Sequence, residues 1–210
     1  MIRDALPDPT EEPLLAAARA LQAVLAAVVV YALVTVQIGL VFNALMPLLV
    51  ALVPDAVRRR YGHQMHPGLV LWIAVAAALH GVGALGPYSE YGWYDQVAHT
   101  VSAALVAGVG YALVRAIDRH HDGVVVPARL RFVFVLVFVV SFGVVWEIAE
   151  FASGGLASLL GGEAVLAQYG IDDIALDLLF NAVGGVLVAL WGTGYFDGVA
   201  ALLGWQVDWE

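Results

Sequence analysis

The chain has 210 residues, 62% of them hydrophobic and 13% charged, with a mean hydropathy of +0.87. Water-soluble domains run at about 45–50% apolar and about 25% charged, so this composition argues against one. The absence of cysteine excludes disulfides, thiol nucleophiles and Cys-ligated metals. A formal charge of −9, with 18 acids against 9 arginines and no lysine, leaves no basic stripe for phosphates and argues against a nucleic-acid partner.

The start, "MIRDALPDPTEEP", is acidic and proline-rich, without the basic n-region of a secretory leader. Residues 1–16 are expected to form a polar cytoplasmic N-terminus. Six apolar segments follow, each read against the roughly 20 residues that a spanning helix needs. The first is "LQAVLAAVVVYALVTVQIGLV" (21–41) and the second "ALMPLLVALVP" (44–54). They form either one kinked helix or two short spans. A tight reversal at Asn43 and Pro47 is the better reading, because proline interrupts the backbone ladder.

The third segment, "PGLVLWIAVAAALHGVGALG" (67–86), opens on a proline suited to a first helical turn. The fourth runs from Tyr94 to Ile117, the fifth from Leu130 to Phe151 and the sixth from Asp172 to Trp191. The tail 193–210 mixes tryptophans with acids and is expected at the interface or in the cytoplasm. The predicted fold is all-α: one integral membrane domain over 1–210, a bundle of about six spans in the cell membrane. In that layout all nine arginines fall on one side, which the positive-inside rule makes the cytoplasm, and both termini lie there too. The acidic, lysine-free balance also fits a halophilic setting, where carboxylates keep exposed surfaces hydrated.

With the topology set, polar residues can be assigned a depth. Asp95 and His99 lie in the outer third of the fourth segment and Glu147 and Glu150 at the outer end of the fifth. Asp173, Asp177 and Asn181 lie in the outer half of the sixth, and His80 of the third is near the same level. Spacings of three and four put each set on one helix face. A charge in the bilayer core costs roughly 2.5–3.5 kcal/mol on insertion scales. Such acids persist where they face the bundle interior and meet protons, a cation or the histidines.

Blander readings compete. Asp172 and Asp173 suit an N-terminal cap, and His80 suits helix packing. Glu150 can reach the interface, and Asn181, Gly184 and Gly185 serve close helix approach. The loop histidines His63, His66, His120 and His121 read as solvated. Zinc-protease, nucleophile-elbow and phosphate-loop motifs are all missing, and Ser102, though near His99, is discounted as a nucleophile.

On "MPLLVALVPDAVRRRY", "ALHGVGALGPY", "YDQVAHT", "WEIAEF" and "DIALDLLFNAVGG" the chain resembles the YjdF-like inner-membrane proteins and their halophilic archaeal relatives, from about Pro47 onward. That resemblance implies a D-x3-H motif at Asp95 and His99, an E-x2-E motif at Glu147 and Glu150, and paired late aspartates at Asp173 and Asp177. Some members carry a further aspartate after a glycine ahead of that pair, where this chain reads "YGIDD". A weaker likeness to VanZ-like membrane proteins rests on Asp95, His99, Asp177, Asn181 and Gly184.

The leading expectation is a divalent-cation site opening outward. Its ligands are Asp95, His99, Glu147, Asp173 and Asp177, its acid–base groups His99 and Glu150, and its supports His80 and Asn181. The partners expected are membrane lipids and a lipid or lipid-linked substrate. Two other functions compete: a proton- or cation-coupled transporter, and a structural protein whose polar residues only fix helix pairing.

Overall fold

A computed structural model describes residues 11–120, 125–160, 170–191, 196 and 199. Most of the expected N-terminal stretch, the tail beyond Val199 and His121 lie outside them. The elements are α1 (Glu12–Val34), α2 (Ile38–Ala51), α3 (Val53–Tyr61), α4 (Pro67–Gly83), α5 (Pro87–Glu90), α6 (Tyr94–His120), α7 (Ala128–Leu160) and α8 (Ile171–Trp191). α1, α6, α7 and α8 are long and apolar enough to cross a bilayer, α2 and α3 together make a fifth candidate bent by 41°, and α4 is a shorter apolar helix of 17 residues. In a bilayer every backbone polar group must be satisfied within its own segment, which helices achieve. The chain is a multi-pass helical membrane protein.

The reversal after the first helix is present, but at Thr35–Gln37 and not at Asn43 and Pro47, which lie inside α2. Val36 takes the left-handed region at φ 56°. Neighbouring side chains hold it there: Thr35 Oγ1 donates to Tyr31 O at 2.8 Å, and Gln37 Nε2 donates to Thr35 Oγ1 at 2.8 Å. At the far end of this hairpin Gln22 donates to Ala51 O at 2.8 Å, and Arg19 forms a paired ion bridge with Asp55. Pro47 removes only one rung, a loss that membrane helices absorb by local adjustment.

α1, α2 and α4 pack through Leu25, Ala51 and Ala77, with Ala18, Val70 and Ala74 nearer the arginine-bearing end. α6, α7 and α8 pack through Ala103, Ala104, Ala107, Val135, Val139 and Val188. Small residues set these distances. A Cβ on Gly184 would lie 2.5 Å from Thr100 O, so α8 meets the α6 backbone there. Trp72 Nε1 of α4 donates to Val101 O of α6 at 3.2 Å and joins the two halves.

The described arginines gather at one end of the bundle. Arg19 and Arg58 share Asp55, while Arg131 lies over the Tyr111 ring at 5.7 Å. Asp95 sits 20 residues before Arg115 on α6, and a helix rises about 30 Å over that length, the thickness of a hydrocarbon core. The candidate site and the arginines therefore occupy opposite ends.

A buried carboxylate–imidazole group at the arginine-free end

α6 brings Asp95 and His99 to one face, and α8 brings Asp177 and Asn181 against it. One ligand atom each from Asp95, His99 and Asp177 lie within 4.8 Å of one another. His99 Nε2 is 3.5 Å from Asp95 Oδ1 and 3.6 Å from Asp177 Oδ1. His99 Nδ1 is 3.2 Å from Asn181 Oδ1. An amide oxygen only accepts, so Nδ1 carries the proton in that bond. His99, Asn181 and Asp177 are 6%, 6% and 2% exposed, whereas Asp95 opens partly to the outside. Asp177 Oδ1 is buried without a hydrogen bond.

Local packing explains the fit. A Cβ on Gly143 of α7 would lie 2.7 Å from Asn181 Nδ2, so the missing side chain is what leaves space for the amide. Gly184, one turn along α8 from Asn181, closes the α6–α8 gap and carries Asp177 and Asn181 to His99.

The other expected residues surround this group without joining it. Glu147 of α7 is 6% exposed, and both it and Asp173 are within electrostatic reach of Asp177. Asp173 is half-buried in the first turn of α8, while Asp172 beside it is exposed, as a helix-start acid would be. Glu150 accepts from Trp146 Nε1 at 3.0 Å at the rim.

His80 belongs to a neighbouring chain of hydrogen bonds. Its Nε2 is 2.9 Å from Ser102 Oγ and its Nδ1 2.6 Å from the Tyr88 hydroxyl. Burial pushes the Tyr88 phenol well above its ordinary pKa, so it keeps its proton and donates to His80. A neutral His80 with its proton on Nε2 then donates to Ser102. The His80 ring stands edge-on to His99 with centroids 6.3 Å apart and lies 6.1 Å from Trp146.

Tyr88, Gly143 and Trp146 are the site's neighbours that sequence reasoning missed. The available hint for Tyr88 was "GALGPY", a glycine–proline turn that folds an aromatic back over the preceding helix. Gly86 supplies it at φ 148°. Of the loop histidines, His66 caps α4, accepting from Gly68 N at 3.0 Å, and lies 3.8 Å from Glu11. The His120 side chain is outside the described residues.

Beneath the site the bundle is apolar: Ala103, Ala104, Ala107, Val135, Val139 and Val188 continue toward the arginine-bearing end. The group is thus a polar cluster at one end, with apolar side chains on its inner side.

No curated protein and no solved structure matches the chain. A family model described as a predicted membrane protein (DUF2238) matches residues 17–198, a span holding every residue of the group. The chain belongs to the DUF2238 family of predicted membrane proteins.

Proposed function

We propose that Asp95, His99 and Asp177 bind a divalent cation at the outward-facing end of the bundle and use it on a lipid or lipid-linked substrate. The observation that carries this reading is the orientation of His99. Its Nδ1 proton is committed to Asn181, which leaves the Nε2 lone pair between two carboxylate oxygens at 3.5 and 3.6 Å. Those separations are too long for strong hydrogen bonds. Ligands about 2.1 Å from a shared ion stand about 3.0–3.4 Å apart in ordinary geometries. A second contact that fixes the tautomer of a ligating histidine is the common arrangement around metals.

Two carboxylates and one imidazole suit manganese, iron or zinc. Glu147 and Asp173 add negative charge that favours the cation, and Glu150 at the rim serves as acid or base. A cation held here polarises a substrate oxygen or activates water. Lipid access has support in a shallow apolar groove between α7 and α8, lined by Val144, Glu147, Ile148, Phe151, Ile174 and Leu178. The D-x3-H, E-x2-E and late-aspartate motifs of the resemblance to YjdF-like proteins lie toward the same end of the bundle, which supports a functional reading of them. The apolar packing beneath the group disfavours a transport path.

Calorimetric titration of the purified full chain with Mn2+ and Zn2+ tests the proposal. Binding at about one ion per chain is expected, lost in Asp177→Asn and kept in Asp172→Asn, whose side chain is exposed. Absence of binding in the parent protein overturns it.

A further inference from the structure

The second cluster of charge lies at the opposite end, on α3, and is independent of the cation site. The sequence Val53–Tyr61 is "VPDAVRRRY". The helix departs from α2 by 41° and stops at Gly62, which takes φ 67°. Its inner face holds Pro54, which is buried, and Asp55, which is bridged to Arg19 of α1. Its last turn is a run of four exposed residues, Arg58, Arg59, Arg60 and Tyr61, which fan around the end of the helix.

Among the described residues the charges on that run are met only in part by carboxylates. Asp55 is engaged by Arg19, and Arg58 reaches it only at 3.9 Å. Among the described residues no carboxylate lies within ion-pair distance of Arg59 or Arg60. Arg60 folds over the Tyr61 ring at 5.8 Å. Leu52, Val53 and Tyr61 are 38%, 45% and 57% exposed, which gives the same surface an apolar edge. Aromatic and aliphatic groups beside arginines suit the boundary between head groups and hydrocarbon.

We infer that α3, bent from α2, ends at the membrane surface and docks anionic phospholipid head groups there through Arg58, Arg59 and Arg60. The charge balance specifies the occupant. A chain of net charge −9 is repelled by an anionic leaflet unless its few cations are gathered where it meets that leaflet. Guanidinium forks match phosphodiester oxygens in pairs. The bend at Leu52 turns the helix away from the α2 axis, so that consecutive arginines can address head groups together.

Native mass spectrometry of the full chain, offered dioleoylphosphatidylglycerol or dioleoylphosphatidylcholine at equal concentration, tests this. Retention of the anionic lipid should exceed that of the zwitterionic one by about tenfold or more, and Arg59→Gln with Arg60→Gln should remove most of the preference. Arg59→Lys with Arg60→Lys should keep part of it. Millimolar inorganic phosphate should not displace the lipid. Equal retention of both lipids by the parent protein overturns the inference. So does a preference unchanged in the double glutamine variant, or displacement by free phosphate. Unaltered Mn2+ titration in that variant shows that the other end of the bundle is intact.

Discussion

Asn181 on α8 accepts the Nδ1 proton of His99 on α6 at 3.2 Å, and both side chains are buried. This bond ties two helices together and sets which imidazole nitrogen faces the acids. If the acids and imidazole hold a cation, Asn181→Ala should weaken Mn2+ affinity about 10- to 100-fold while the helical content is kept. Titration of parent and variant under the same conditions checks it.

Asp177 is the buried carboxylate whose Oδ1 has no hydrogen bond. In cation-free solution Asp177→Asn should therefore not destabilise the protein and should raise stability modestly, because repulsion between this buried carboxylate and its acidic neighbours Asp95, Asp173 and Glu147 is removed. The parent protein should gain about 2.7 kcal/mol at a cation concentration of 100 Kd, a gain the variant lacks. Thermal melts in detergent, with chelator and with Mn2+, read both effects.

Gly184 and Gly185 are neighbours with opposite tolerance. A Cβ on Gly184 would meet Thr100 O at 2.5 Å and Ala104 N at 2.9 Å, both backbone atoms that cannot swing aside. A Cβ on Gly185 would meet its nearest side-chain atoms at 3.5 Å, an ordinary contact. Gly184→Ala should cost about 1–3 kcal/mol and weaken cation binding by moving Asp177 from His99. Gly185→Ala should be close to neutral in both assays.

Tyr88 ties α5 to His80. Tyr88→Phe keeps the ring packing but loses the 2.6 Å contact, and should cost about 1 kcal/mol. Amide hydrogen exchange should quicken at 88–90, with Mn2+ affinity nearly unchanged. A large affinity loss would instead make His80 part of the cation group.

Much of this was legible in the sequence because membranes penalise buried charge heavily. The four-residue spacing of Asp95 and His99, repeated by Asp177 and Asn181, placed each pair on one face, and the one-sided arginines placed both at the same end. Turns were harder to read. The chain reverses at "TVQ" inside an apolar run, where side-chain hydrogen bonds from Thr35 and Gln37 do what glycine or proline usually does. Pro47, the stronger turn signal by composition, stays helical. α1 begins at Glu12 and not near Leu21, because its first turns combine exposed polar residues with Ala18 packed on Val70 and Ala74. Spacing along one helix also could not show that Asp95, His99 and Asp177 bring ligand atoms within 4.8 Å of one another. That depends on the close approach of α8 to α7 at Gly143 and to α6 at Gly184.

The central claim is that His99 and the two aspartates share one ion. Pulsed electron paramagnetic resonance on the Mn2+-loaded full chain addresses it directly, because a coordinated imidazole nitrogen couples to the metal spin. A single nitrogen coupling is expected, one that disappears in His99→Gln and persists in His80→Gln. Bound Mn2+ with no nitrogen coupling, or a coupling that survives His99→Gln, would contradict it.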